Sequence, residues 1–199
     1  MRKAPPRAWQ RMLSGRRLDL LDPSPLDIEI EDIAHGLARV ARWNGQTLGN
    51  DIFSVAQHSL LVESIAGSLE PGAGPAELLA VLLHDAAEYV LGDLISPFKA
   101  VIGVEYRAVE ARLTSAIHLR FSLPATSSAP LRKLIKRSDA IAAFHEATRL
   151  AGFGHEEALK LFGRPEPVAP VDEFLAPWTV DSAKSRYVAR FEALTARPE

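Results

Sequence analysis

Apolar side chains recur every three to four residues along most of this chain, which is the spacing of one face of an α-helix. In one such segment Val55, Leu61 and Ile65 share a face, and Ser54 with Gln57 has the form of a capping box. The pattern predicts helices from Ile33 to Trp43, from Ser54 to a turn at Gly72, from Pro75 to about Gly92, after Pro97, from Leu131 to about Ala151, and from about Asp181. No stretch alternates with a period of two for long enough to predict a sheet, so we expect an all-α fold.

The two ends of the chain depart from this helical pattern. Residues 1–26 combine prolines with many polar groups, which indicates a loosely structured lead. Asp32 is the predicted N-terminal cap of the helix that follows it. Residues 152–178 are rich in turn-forming residues and predict a loop with brief helical turns. Because 199 residues suffice for one domain with a substantial core, we expect a single helical domain over residues 27–199.

Composition excludes several classes of function. Apolar residues make up 47% and charged residues 24% of the chain, as in ordinary soluble proteins. A net charge of -2 gives no reason to expect a nucleic-acid polymer as partner. The absence of cysteine excludes disulfides, iron–sulfur clusters, thiolate zinc sites and a thiol nucleophile. No apolar run resembles a signal peptide or a membrane span, so we expect a cytoplasmic protein without membrane contact.

Three groups that bind metals or move protons interrupt the apolar run from Leu78 to Val90. These groups are His84, Asp85 and Glu88. On a helix His84 and Glu88 lie four residues apart, and Asp85 and Glu88 three apart, so all three can face one pocket. Charged groups on the buried side of a helix need a partner, and a metal ion serves where His and Asp are adjacent.

Two further candidates lie on other predicted helices. His58 falls on the apolar face of its helix, and Asp139 lies within the helix that begins at Leu131. With His84 and Asp85 they give two imidazoles and two carboxylates, a set that suits Mn, Fe, Co, Ni or Zn better than Mg. In an octahedral shell, four protein ligands leave two positions for water or a substrate oxygen.

Four motifs resemble the HD superfamily of metal-dependent phosphohydrolases, and its 5′-deoxynucleotidase branch in particular. They are Arg42-Trp43, the helix start at residues 54–59, residues 83–88 with 92–99, and residues 136–139. The resemblance covers about residues 28–150 and leaves residues 152–199 uncovered. It implies a helical bundle of the HD type with an internal metal site.

The resemblance also implies a role for each matching residue. His58, His84, Asp85 and Asp139 would bind one divalent metal ion. Glu88 would act on the attacking water or the leaving oxygen, and Asp93 would contact the deoxyribose and take part in catalysis. The implied substrate contacts are those of Arg42 with phosphate, Trp43 with the sugar or base, and Asp93 with the sugar. Lys99 and Lys136 are two further candidate substrate-binding residues.

The implied activity is the 5′-dephosphorylation of 2′-deoxynucleoside monophosphates, with a small nucleotide as partner and a homodimer left open. The loop at residues 44–49 is richer in glycine and polar groups than that branch leads us to expect, which leaves substrate identity open. The alternatives are a dNTP triphosphohydrolase with the same metal site, a di-iron oxygenase and a non-catalytic nucleotide-binding module. Only His118 lies between Asp85 and Asp139 as a further histidine, which favours one metal over two.

Overall fold

A computed structural model describes residues 7–169 and 171–196, apart from the side chains at positions 96, 97, 99, 100 and 102. This part of the chain is mostly helical, as the sequence predicts, and none of its helices is long and apolar enough to cross a membrane. The helices are α1 Ile30–Leu37, α2 Val55–Leu69, α3 Pro75–Leu82, α4 Glu88–Leu91, α5 Ser96–Arg120, α6 Ala129–Arg149, α7 His155–Phe162 and α8 Val180–Thr195. Short 3₁₀ turns cover Pro25–Asp27, Arg42–Gly45 and Asp172–Leu175.

Helix α2 lies at the centre of the fold and packs against α3, α6 and α8. Its side chains are buried on nearly every face, which is typical of a helix inside the core rather than on the surface. Ser54 caps its N-terminus by accepting a hydrogen bond from the Gln57 amide at 3.2 Å. The Gln57 side chain does not complete the capping box, because it bonds the backbone of Phe174, Ala176 and Trp178 instead.

Residues 7–26 are more ordered than the loosely structured lead that the sequence predicts. Strands β1 (Trp9–Arg11) and β2 (Arg17–Asp19) form an antiparallel hairpin, and Leu18 is fully buried in the main core. Asp32 does not cap α1, which begins at Ile30; its carboxylate accepts bonds from the Ser14 amide at 3.0 Å and hydroxyl at 2.5 Å. These contacts attach the hairpin to α1. The division of the chain at residue 27 stays a prediction.

The first predicted helix ends earlier than its apolar spacing indicates. Helix α1 ends at Leu37, and the chain then pairs with the segment before α2. The Arg42 amide donates to Phe53 O at 2.8 Å, and the Val55 amide donates to Val40 O at 3.0 Å. The predicted helix to Trp43 is therefore wrong at its end, because backbone pairing with residues 53–55 replaces the last turn.

The predicted single helix from Pro75 to Gly92 is also wrong. Helix α3 ends at Leu82, and residues 83–87 form tight turns before α4. Bonds of the i→i−3 kind join the His84 amide to Val81 O at 3.1 Å and the Glu88 amide to Asp85 O at 3.0 Å. The His84-Asp85 motif thus lies in an irregular segment between two helices.

Gly36 marks the closest approach of α1 to α4, and it allows a sharp test of the packing. A methyl group at Gly36 would lie 2.8 Å from Tyr89 Cβ and 2.8 Å from Tyr89 O. Alanine gains about 1 kcal/mol of helix propensity over glycine, but overpacking costs about 1–3 kcal/mol and a backbone oxygen cannot rotate away. We expect Gly36→Ala to lower the melting temperature by about 2–4 °C for each kcal/mol of net loss.

Thermal denaturation followed by circular dichroism measures this effect. Gly72→Ala is the matched control, because a methyl group there meets no atom within 4 Å and the backbone conformation suits alanine. Equal melting temperatures for both variants and the wild type would contradict the close α1–α4 contact.

Candidate metal centre

Four side chains from three parts of the fold converge at one point. His58 lies on α2, His84 and Asp85 lie in the turns between α3 and α4, and Asp139 lies on α6. Carboxylate oxygens lie 3.3 Å (Asp139) and 3.5 Å (Asp85) from His58 Nε2, and Asp85 Oδ2 lies 3.2 Å from His84 Nε2. Ligand atoms of His58, His84 and Asp139 all lie within 4.8 Å of one another. This group could hold a metal ion, and Asp85 stays a predicted fourth ligand.

The two imidazoles are prepared to act as ligands. His58 Nδ1 donates to Glu146 Oε1 at 2.6 Å, and His84 Nδ1 donates to Val81 O at 2.9 Å. With Nδ1 protonated in the neutral ring, each Nε2 carries a lone pair directed at the cluster. Both Nε2 atoms are buried and make no hydrogen bond. A buried polar atom without a partner costs about 1–3 kcal/mol, and a metal ion would remove that cost.

The spacing of the donor atoms is compatible with one ion. Metal–ligand bonds of about 2.0–2.2 Å place neighbouring donors about 3.0 Å apart in an octahedron and about 3.4 Å apart in a tetrahedron. The observed separations of 3.2–3.5 Å between imidazole nitrogens and carboxylate oxygens lie near these values. The Asp139 side chain keeps 45% of its surface accessible, so the group opens toward solvent on the α6 side.

Glu146 is a functional candidate that the sequence analysis missed. It lies on α6, is fully buried, and accepts four hydrogen bonds. Oε2 accepts from Arg42 Nε at 3.2 Å, Arg42 Nη2 at 3.1 Å and Trp43 Nε1 at 2.9 Å, while Oε1 accepts from His58 Nδ1. The available signal was its spacing, because Glu146 follows Asp139 by seven residues, or two helical turns, on the same face.

The electrostatics of the cluster favour positive charge at its centre. Burial raises the pKa of Glu146, but Arg42 and His58 outweigh burial and hold this pKa at about 2. Burial and Arg42 lower the pKa of His58, whereas the carboxylates of Glu146, Asp139 and Asp85 raise it well above its usual value. Burial opposes ionisation of Asp85 and Asp139 too, yet the two histidines lower the pKa of both carboxyl groups. A bound cation would satisfy the same carboxylates.

Arg42 lies at the edge of the metal group. Burial alone would lower its pKa, but Glu146, Asp93 and the two cluster aspartates outweigh burial and raise the pKa above its usual value. Nε and Nη2 are committed to Glu146, and Nη1 lies 3.9 Å from Asp85 Oδ2 and 3.8 Å from Asp93 Oδ2. The guanidinium therefore offers one nitrogen, rather than a two-nitrogen fork, toward the cluster.

Comparison with known proteins places the chain in a family. No family model matches it, but it is 62% identical over 162 residues to an uncharacterized protein of Rhodobacter capsulatus, a match that covers 81% of this chain and 83% of the relative. The chain belongs to the same family as that protein. It is also 30% identical over 107 residues to the uncharacterized protein YfdR of Escherichia coli, which covers 53% of this chain and 54% of YfdR.

Glu88 and Trp43 are predicted site residues that do not belong to the group of four converging side chains. Glu88 begins α4, three residues after Asp85, and is 2% exposed. Trp43 is anchored by Phe153 and Phe162, with ring centroids 5.5 and 6.0 Å away.

Of the two predicted lysines, only the side chain of Lys136 is described, and its described contacts do not bring it to the cluster. Lys136 is exposed on α6, one turn before Asp139. The side chain of Lys99 lies outside the part of the chain that the structure describes. His118, the one further histidine between Asp85 and Asp139, is buried and donates through Nδ1 to Pro124 O at 3.0 Å.

Proposed function

We propose that this chain is a metal-dependent phosphohydrolase of the HD type that acts on nucleotides, with 2′-deoxynucleoside 5′-monophosphates as its preferred substrates. One observation carries the proposal: two buried imidazole nitrogens without hydrogen bonds face two carboxylates, and Arg42 Nη1 lies 3.9 Å from the carboxylate of Asp85. A cation site beside a fixed guanidinium suits a phosphate ester. The resemblance of residues 28–150 to the HD superfamily supports the same reaction class.

The chain's own groups account for binding and proton transfer. His58 and His84 would hold the metal through Nε2, with Asp85 and Asp139 as the oxygen ligands. When bound, the metal supplies activation of water and neutralisation of phosphate charge. Arg42 Nη1 binds a phosphate oxygen, and Glu88 takes the proton of the attacking water or gives one to the leaving 5′-oxygen as the P–O bond breaks.

Asp93 is the residue that we propose reads the sugar. Its carboxylate is largely buried, with 9% of the side chain accessible, and lies beside Arg42 Nη1. A sugar joined to a phosphate on Nη1 would then approach Asp93, which can accept a hydrogen bond from the 3′-hydroxyl. Crowding against that edge of the ring leaves little room for a 2′-hydroxyl, so deoxynucleotides are preferred. Trp43 would border the sugar or base.

A metal-supplemented screen tests the activity. Purified protein with Mn, Co, Fe, Ni, Zn or Mg is assayed against matched dNMPs, NMPs and dNTPs, and released phosphate and triphosphate are measured. We expect phosphate release from dNMPs, with NMPs slower. Release of triphosphate from dNTPs would support the triphosphohydrolase instead, and absence of any hydrolysis would reject both. Among the described residues, one group of side chains could hold a metal ion, whereas a di-iron oxygenase would need a second metal position.

Arg42 and Asp93 should produce different kinetic signatures. Arg42→Lys retains a charge but not the planar group held by Glu146, so kcat/KM should fall for every nucleotide alike. Asp93→Asn should instead reduce the ratio of kcat/KM for a dNMP to kcat/KM for the matching NMP. Arg137→Lys is the control, because Arg137 pairs on the surface with Glu166. If the wild type treats deoxy and ribo substrates alike, or Asp93→Asn leaves their ratio unchanged, the deoxynucleotidase assignment fails.

A further inference from the structure

Glu146 joins three elements that are far apart in the sequence. Its two oxygens contact the 3₁₀ turn through Arg42 and Trp43, and α2 through His58, over separations of 88 to 104 residues. Each of the four donors is an N–H group, and both carboxylate oxygens are used. A fully buried carboxylate satisfied in this way is held in one position, and it holds its donors in return.

The turn that carries Arg42 needs such a tether. Trp43 and Asn44 have φ values of 57° and 52°, in the left-handed region that residues other than glycine rarely adopt. A backbone of this kind persists only where its surroundings hold it in place. Trp43 is held at one end by Glu146 and on its ring by Phe153 and Phe162.

The same carboxylate also sets the state of a metal ligand. Because Glu146 Oε1 accepts the Nδ1 proton of His58, Nε2 stays free of a proton in the neutral ring and faces Asp139 and Asp85. Glu146 Oε2 meanwhile holds two guanidinium nitrogens of Arg42, which leaves Nη1 near Asp85 and Asp93. One side chain therefore orients both a proposed metal ligand and the proposed phosphate-binding cation.

We propose that Glu146 is a positioning residue that couples metal binding at His58 to phosphate binding at Arg42. Its effect on the metal depends only on the His58 contact. Its effect on phosphate rests on the function proposed above. Loss of this carboxylate should weaken both kinds of binding at once, although Glu146 is not among the four predicted ligands.

Glu146→Gln tests the proposal, because glutamine has nearly the same volume but places an NH₂ group against donors. Calorimetric titration with Mn²⁺ alone should show an affinity lower by about 10–100-fold, the usual effect of losing a partner of a ligating histidine. Titration of the Mn²⁺-loaded protein with inorganic phosphate should show weaker binding than in the wild type. Emission from Trp43, assigned by comparison with Trp43→Phe, should change, because an amide replaces the carboxylate that accepts from Nε1.

Glu63→Gln is the matched control. Like Glu146, Glu63 is a buried carboxylate; it lies on α2 and is 5% exposed. It accepts two hydrogen bonds from Arg190 at 3.0 and 2.5 Å, away from the cluster. It should lose stability without a change in Mn²⁺ or phosphate affinity. If Glu146→Gln also loses only stability, or if the wild type binds no Mn²⁺, the proposal is overturned.

Two further variants keep the test decisive if Glu146→Gln does not fold. Glu146→Asp retains the charge but shortens the reach, so it should reduce Mn²⁺ affinity less than glutamine. Trp43→Phe removes one donor and should weaken phosphate binding while it leaves Mn²⁺ affinity unchanged. Weaker Mn²⁺ binding by Glu146→Asp without any nucleotide hydrolysis in the wild type would support the metal part and reject the proposed function separately. Wild-type affinities in both variants would overturn the coupling.

Discussion

Mn²⁺ is expected to raise the melting temperature of the wild-type protein, and Asp139→Ala is expected to abolish this rise together with the proposed nucleotide hydrolysis. A ligand present at 100 times its Kd stabilises the folded state by about 2.7 kcal/mol, which thermal denaturation readily detects. Asp139 Oδ1 lies 3.3 Å from His58 Nε2, and its loss leaves one oxygen donor near the two imidazoles. Elemental analysis of the purified variant should find little metal.

His58→Ala should lose the metal too, but it should also unfold more easily when metal is chelated. Its removal takes the 2.6 Å bond from Nδ1 away from the fully buried Glu146, and losing a hydrogen bond to a buried charged group costs about 1.5–3 kcal/mol. Asp139→Ala should lose less stability in chelator, because the Asp139 side chain is 45% accessible and repulsion by Asp85 offsets part of the attraction by which His58 lowers its pKa.

The control for both variants is Asp172→Ala, whose carboxylate is 71% accessible and pairs with Arg149 on the surface. It should retain metal and melting behaviour. Full metal occupancy in Asp139→Ala or His58→Ala would remove that residue from the metal centre.

Glu88→Gln is expected to slow turnover by about 10²–10⁴-fold, the usual contribution of a positioned acid–base group. The motivation is its place: Glu88 is 2% exposed, begins α4, and bonds through its amide to Asp85 O at 3.0 Å. Glutamine preserves the shape of the side chain but cannot accept a proton. Mn²⁺ affinity and KM for the best nucleotide should stay near wild-type values.

Single-turnover kinetics and Mn²⁺ titration of Glu88→Gln together decide this role. Glu77→Gln is a suitable control, because Glu77 is exposed and bonds the Gly74 amide at the start of α3. A wild-type kcat in Glu88→Gln with metal retained would show that Glu88 has a structural role and no catalytic one.

Local spacing in the sequence was enough to predict several parts of the molecule. Apolar periodicity located α2, α6 and α8 to within a few residues, because each buries one or more faces whatever its neighbours are. It also placed His58 on an inward helix face and His84 and Asp85 inside an apolar run. The resemblance to the HD superfamily then implied that these three residues and Asp139 form one set. The structure brings these four side chains together, while metal identity and activity stay predictions.

The way in which the candidate site is completed depends on the packing of the helices. Helical spacing cannot show that residues 83–87 leave the helix, because the same apolar run fits a continuous helix and the interrupted one. Nor can it show that Arg42 begins a 3₁₀ turn and donates its amide to Phe53 O, since that bond joins residues on either side of a loop. Glu146 was missed for the same reason. Its spacing from Asp139 was visible, but its four donors come from residues 88 to 104 positions away, and only the packing of α6 against α2 brings them together.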